Sequence, residues 1–261
     1  MFSNDERCIL NNNQLAEVIC QFRFPEILII GTTPPAEFQE LIRADFPQYH
    51  MRKESVPPKL TGTPGNMQLE NAPVTVNHQF STSDGKWRIN LTTNFISLTC
   101  SRYTRWEDFA KMLDKPLAAF IRTYHPAYFT RVGLRYLNFI SRKQLYLEDR
   151  HFSELIAPQY LGILGEDDVF ESNVTSCNVD IQLQLSGGSV LKLHAGPGMV
   201  HQNGVSDKEL RFIIDQDLFL SGNIPVQAST GALNTLHSHA YRVFRGAILD
   251  PLFEAMDPEP V

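Results

Sequence analysis

The chain has 261 residues, of which 43% are hydrophobic, 20% charged and 10% aromatic, a composition that excludes collagen, low-complexity disorder and a disulfide-rich scaffold. Lys and Arg total 23 against 29 Asp and Glu, which gives a formal charge of -6. Proteins that bind nucleic acid carry a basic excess or a basic stripe, so nucleic acid is not an expected partner.

Cysteines and termini point to a cytoplasmic protein. No two of the four cysteines are close enough for a zinc-type CxxC pair, and buried reduced thiols are expected. The first residues lack the pattern of a signal peptide, and no run of 18 apolar residues occurs. We therefore expect no contact with a membrane.

The first half of the chain reads as a strand, a helix, three strands and a long helix. Residues 15–24 alternate apolar and polar side chains as a half-buried strand does. Residues 34–46 carry the apolar stripe of a helix, with Thr33 as the predicted N-cap, and residues 50–72 are rich in Pro, Gly and Asn, which indicates a loop. The three strands and the long helix are predicted at 74–80, 87–92, 95–103 and 105–124.

The second half repeats this order. The predicted elements are a strand at 129–140, a short helix at 148–157, strands at 177–185, 191–193 and 210–218, and a long helix at 229–256. The turns Ser83–Gly85 and Ser186–Gly188 separate paired strands in the two halves.

Local sequence echoes favour an internal duplication. A shift of 114 positions places EFQELI (37–42) on HFSELI (151–156), and the first strand, 15–24, on 129–138. The alternative is that unrelated strands and amphipathic helices look alike. The duplication predicts an α+β fold in which two such units, residues 1–126 and 127–261, form one integrated body. They would share one antiparallel sheet covered by helices on one face.

Several stretches also carry a family resemblance, best in residues 15–140. They are CQFRF (20–24), PPAEFQELIR (34–43), FPQY (46–49), SLT (97–99) with Tyr103 and Trp106, and RVGLRYLN (131–138). Together they resemble a sporadically distributed bacterial and archaeal family of about this chain's length, which has no assigned activity. The resemblance implies an accessory role in mobile or defence loci and transfers no catalytic residue. The topology is similar to TATA-binding-protein-like and helix-grip folds, which implies fold alone.

The candidate site is the polar face of the predicted sheet. Glu17, Gln21, Arg131 and Arg135 lie opposite the apolar face, and the first strands of the two units are expected to meet at the centre. Further residues continue this polar face: Arg88, Asn90, Asn178, Asp180, Gln182, Gln184, Lys192, His194, Arg211 and Asp215.

Two interpretations of the central cluster stay open. One is a site for an anion or a protein partner built on Arg131 and Arg135. The other is a structural ion pair, because an arginine in mid-strand is costly to bury without a counter-charge. Because the first strands of the two units should meet at the sheet centre, we expect Glu17 within salt-bridge distance of Arg131 or Arg135.

Motifs for catalysis and metal binding are absent from the sequence. There is no HExxH, GxSxG or P-loop, so no catalytic residue, metal or cofactor is predicted. Asp215 and Asp217 share a strand face, as cation ligands can, but solvated carboxylates are preferred.

The resulting hypothesis is a non-enzymatic binding or regulatory protein that uses the polar sheet face to bind a protein partner. The alternative is a sensor of helix-grip type that holds a small anionic ligand between sheet and long helix, lined by Phe22, Tyr136 and Trp87. The remaining alternatives are a nucleic-acid-binding saddle and a metal-dependent nuclease or hydrolase. That enzyme would use Asp180, Asp215, Asp217 and His194. A homodimer is left open.

Overall fold

The structure is a computed structural model, and it describes residues 2–54, 59–63, 66–70, 75–166, 168–202 and 205–261. Strands and helices alternate along these residues in two similar series. Their bounds are β1 (Cys8–Leu10), β2 (Leu15–Arg23), α1 (Ile29–Thr32), α2 (Ala36–Ile42), β3 (Gln48–Glu54), β4 (Lys59–Thr63), β5 (Asn66–Glu70), β6 (Thr75–Ser81), β7 (Trp87–Leu91), β8 (Phe95–Cys100), α3 (Trp106–Tyr124), β9 (Phe129–Ile140), β10 (Val179–Gln184), β11 (Val190–Gln202), β12 (Val205–Ile224), α4 (Ser229–Ala247), α5 (Asp250–Ala255) and β13 (Pro258–Pro260).

Nine strands form one antiparallel sheet in the order β10-β11-β12-β9-β2-β8-β7-β6-β3. From the centre outward, the first half runs β2-β8-β7-β6 and the second runs β9-β12-β11-β10, so the strand order repeats. The first strands of the two halves, β2 and β9, are neighbours at the centre. The predicted α+β fold with two strand series in one antiparallel sheet is confirmed. The predicted division between residues 126 and 127 stays a prediction.

Alternation of apolar and polar residues gives the sheet one buried face. On β2, Val18, Cys20 and Phe22 are at most 1% exposed, while the intervening residues are half-buried. Aromatic side chains join this face to the helices: Phe24 packs on Phe120 of α3 with ring centroids 4.7 Å apart. The core therefore lies between the sheet and the helices.

The two predicted glycine turns are present. In the hairpin between β10 and β11, Gly187 and Gly188 have φ values of 73° and 77°. Residues with a β-carbon rarely adopt this backbone conformation, so the two glycines permit the tight connection.

Two helix predictions in the second half are wrong. Residues 148–157 form only a single 3₁₀ turn, Phe152–Glu154. Pro158 holds Ala157 in an extended conformation, so no helix continues past this residue. The helix expected at 229–256 is divided into α4 and α5 by extended backbone at Ile248. Pro251 follows in the first turn of α5, where a missing N–H is tolerated.

Two predictions in the first half also need correction. The segment expected as a loop at 50–72 contains β3, which pairs with β6 at the sheet edge, and the hairpin of β4 with β5. The Pro-rich and Gly-rich part begins only after β3. The average composition of residues 50–72 therefore did not indicate the strand at its start. Helix α2 is shorter than predicted, and Thr33 does not cap it, because its hydroxyl donates to the carbonyl of Ile29 at 3.0 Å.

The two ends of the chain meet. β1 pairs antiparallel with β13 in a separate two-stranded sheet. The backbone N–H of Ser3 donates to the carbonyl of Arg242 on α4 at 2.9 Å, which holds the N-terminal segment against this helix. Of the helices in the described ranges, none combines the length and apolarity needed to cross a bilayer.

Candidate functional site

The sheet face that carries no helix in the described residues forms a concave groove of about 730 Å³. Five adjacent strands, β10, β11, β12, β9 and β2, supply its lining. The lining residues are Ile19, Gln21, Arg23, Arg131, Gly133, Arg135, Asp180, Ile181, Gln182, Lys192, Leu193, His194, Asp215, Asp217 and Phe219. The groove thus spans the second half of the sheet and ends at the first strand of the first half.

Most of the predicted site residues lie together in this groove. The eight that line it are Gln21, Arg131, Arg135, Asp180, Gln182, Lys192, His194 and Asp215. The other six are not among the lining residues: Glu17, Arg88, Asn90, Asn178, Gln184 and Arg211. Glu17 and Arg88 pair with each other at 3.3 Å.

Arg131 is the most fixed cation of the groove. Its guanidinium donates to both carboxylate oxygens of Asp217, at 2.6 and 2.8 Å, and to Oε1 of Gln21 at 3.2 Å. The ring centroid of Phe219 lies 4.5 Å from its Cζ atom. With a side-chain exposure of only 18%, Arg131 is held from several sides, so the arginine is preorganised.

Arg135 is paired in the same way with Asp215, which lies two residues before Asp217 on β12. Its Nε donates to Asp215 at 2.7 Å, and its Nη2 contacts the second oxygen of that carboxylate. The hydrogen bond to Asp215 raises the pKa of the Arg135 guanidinium. Nearer the sheet edge, Nδ1 of His194 lies 2.9 Å from Asp180. Arg131, Arg135 and His194 therefore each have an aspartate partner.

The expected contact of Glu17 with Arg131 or Arg135 is wrong. Although β2 and β9 are neighbours, their register places Glu17 opposite Leu137 and Arg135 opposite Ile19. The carboxylates that neutralise the arginines come instead from β12, on the other side of β9. Glu17 turns toward Arg88, and both side chains are substantially exposed.

Charges of both signs line the groove. Four cations face three carboxylates, a formal charge of +1 with histidine neutral in a chain of -6; the residues are Arg23, Arg131, Arg135 and Lys192 against Asp180, Asp215 and Asp217. No carboxylate of the described residues forms an ion pair with Lys192. Its ammonium lies 5.8 Å from the Phe219 ring centroid.

Six lining residues are not among those predicted from the sequence: Ile19, Arg23, Gly133, Ile181, Leu193 and Phe219. Of these, Gly133 determines how the Arg131 side chain lies. A β-carbon built on Gly133 would lie 2.2 Å from Nη1 of Arg131. The arginine side chain therefore runs along its own strand, across the glycine, to reach Asp217. An isolated glycine inside a strand, between two arginines, is the sequence signal for such a close approach.

Among the described residues, no three His, Cys, Asp or Glu side chains are grouped so that they could hold a metal ion. Asp215 and Asp217 do share the predicted face, but each is engaged by an arginine.

A second, smaller cavity of about 90 Å³ lies between the sheet and the long helices. This is the region predicted for the ligand of a helix-grip sensor. Of the three predicted lining residues, Tyr136 lines the cavity, whereas Phe22 and Trp87 are not among its lining. Phe22 packs on Phe129, and Trp87 packs on Phe109. The volume is below the roughly 300 Å³ that sites for larger ligands need.

Comparison with known proteins adds no identity to this geometry: no protein-family model matches the chain, and neither does any curated protein.

Proposed function

We propose that this protein is a non-enzymatic binding or regulatory protein, and that the groove on the open sheet face binds a segment of a protein partner. The observation that carries the proposal is the concavity of about 730 Å³ lined by fixed charges of both signs. Following the family resemblance of the sequence, we further propose an accessory role in a mobile or defence locus.

Preorganisation supports a binding role. Arg131 and Arg135 already lie against aspartates and, for Arg131, against an aromatic ring. A partner that meets such side chains does not have to order them, which removes part of the entropic cost of association. Fixed charges of alternating sign also select partners, because a misplaced like charge is repelled.

The charge pattern favours a polypeptide over an anion or a nucleic acid. Both central arginines are engaged by carboxylates, so neither offers its full charge to a free anion. A nucleic acid would require a continuous positive surface, and three aspartates interrupt this one. A protein segment with acidic and basic side chains can answer both signs, while Ile19 and Phe219 offer apolar contacts.

A small anionic ligand remains the second candidate, supported by one observation. Lys192 has no ion-pair partner in the described residues, and it lies in the groove beside Phe219. A phosphate-sized or carboxylate-bearing molecule would then bind at this lysine rather than at the arginines.

Matched lysine variants and crosslinking test the proposal. A photo-crosslinking amino acid at Gln182, an exposed groove position, should trap a defined protein in cells, whereas the same group at exposed Lys111 on α3 should not. In pull-downs with that protein, Lys192→Glu should weaken binding at least tenfold, and Lys111→Glu, with the same charge change elsewhere, should leave it intact.

Two results would overturn the proposal. One is partner binding that is equally strong in Lys192→Glu and in Lys111→Glu. The other is no adduct at Gln182 together with saturable binding of phosphate or citrate that Lys192→Glu abolishes, which would establish the anion sensor instead.

A further inference from the structure

The small cavity on the buried face of the sheet lies apart from the groove and is built by different side chains. The sheet contributes Tyr136 and Gln216, α3 contributes Trp106, and α4 contributes His237. The N-terminal segment from Arg7 to Leu10, which includes β1, also lines the cavity. β1 is held in turn by β13.

Polar atoms in this cavity lining are without partners. Gln216 is 0% exposed, yet neither its Nε2 nor its Oε1 has a hydrogen-bond partner among the described residues. The same holds for Nε2 of His237, whose Nδ1 lies 2.8 Å from the hydroxyl of Tyr136. Buried polar groups are nearly always hydrogen-bonded, since leaving them unpaired is costly. The unpaired amide and imidazole therefore point to a ligand.

The geometry points to a small uncharged molecule with a carboxamide or urea group as the ligand of this cavity. The Gln216 amide offers one donor and one acceptor side by side, which is the arrangement that another amide pairs with. Trp106 stacks on His237 with ring centroids 4.4 Å apart and an interplanar angle of 9°, so one wall is flat.

The size of the cavity and the charges around it restrict the class of ligand further. A cavity of about 150 Å³ binds the six carbons of benzene, so one of about 90 Å³ holds about four non-hydrogen atoms, the size of acetamide or urea. Burial lowers the pKa of His237 to about 4, so its ring is neutral near pH 7. The two cations of the lining, Arg7 and Arg105, both pair with Glu107, so each guanidinium is already engaged by a carboxylate.

Acetamide, followed by NMR on the two tryptophan indole N–H groups, tests the inference. Trp106 lines the cavity, whereas Trp87 does not and serves as the internal control. The Trp106 resonance should shift saturably while the Trp87 resonance stays in place. Gln216→Leu should weaken the binding at least tenfold, because two hydrogen bonds are lost. Gln144→Leu, the same change at an exposed residue that lines neither the cavity nor the groove, should bind as the unaltered protein does.

Several outcomes would refute the inference independently of the groove. They are a shift that persists in Gln216→Leu, a linear response shared by both tryptophans, or binding of xenon in preference to acetamide, which would mark an apolar void. If Gln216→Leu does not fold, His237→Phe removes the other unpaired atom, and unchanged acetamide binding in that variant would contradict the inference equally.

Discussion

The substitution Gly133→Ala tests whether the arrangement of the groove depends on one missing side chain. A β-carbon at this position would lie 2.2 Å from Nη1 of Arg131, so the guanidinium has to move. Movement breaks the bidentate contact with Asp217 and the contact with the Phe219 ring.

Two opposing effects set the size of the change. The Arg131–Asp217 pair has side-chain exposures of 18% and 31%, so it lies between an exposed ion pair and a buried charged hydrogen bond, and its loss costs about 1–2 kcal/mol. Replacing a glycine in a strand by alanine contributes about 0.5–1 kcal/mol of stability through lower entropy of the unfolded chain. Gly133→Ala should therefore lower the free energy of unfolding by up to about 1.5 kcal/mol.

The sign should reverse when the arginine is absent. In an Arg131→Met background the ion pair is already lost, so Gly133→Ala should raise the free energy of unfolding by about 0.5–1 kcal/mol. Urea unfolding followed by tryptophan fluorescence measures the four proteins of this double-mutant cycle. The same sign in both backgrounds would show that Arg131 does not depend on the glycine.

Three further predictions follow from the contacts of single residues. Glu17→Gln should lower the free energy of unfolding by less than about 1 kcal/mol in the same urea assay, because the pair with Arg88 is exposed; a larger loss would mean a buried partner. Gln216→Leu should raise it by about 1–2 kcal/mol, since two unpaired buried atoms are removed, and a lower melting temperature would contradict this. The folded-state pKa of His237 lies near 4, below the value of about 6.5 in the unfolded chain. The contribution of the neutral His237 ring to the free energy of unfolding is therefore complete above about pH 6.5. Up to about 3 kcal/mol of that free energy is lost as the pH falls toward 4. His237→Gln should flatten this part of the stability–pH curve, and an unchanged curve would refute the assignment.

Strand faces follow directly from the sequence. The alternation in 15–24 and 129–140 places the correct side chains in the core, because a side chain's face depends only on its parity along the strand. The residues at which helices and strands end are harder to predict from the sequence. Pro116 lies within α3 without ending it, whereas Pro158 accompanies the loss of a predicted helix. The same residue type thus has opposite effects, depending on whether tertiary packing stabilises the rest of the helix.

Charge partners could not be derived in the same way. Adjacent first strands suggested that Glu17 meets the arginines, but a long arginine side chain reaches past its directly opposite residue. The register places Asp217 opposite Arg135, yet Asp217 pairs with Arg131, two positions further along the face. Odd or even position along a strand predicts on which side of the sheet a charged side chain lies. The direction in which that side chain extends along the strand decides which charge it pairs with.

The groove reflects a difference between the two halves rather than the strand order that they share. In each half one strand flanks the central pair: β8 beside β2, and β12 beside β9. On the open face β8 carries Ser97 and Thr99, whereas β12 carries Asp215 and Asp217. Among the described residues, the second half combines an Arg-x-Gly-x-Arg strand with an Asp-x-Asp strand, and their charges line the concavity. A partner is consequently expected to contact the second half and the central strand β2, and the paired Arg-x-Gly-x-Arg and Asp-x-Asp strands are the sequence feature by which the same groove can be recognised in another chain.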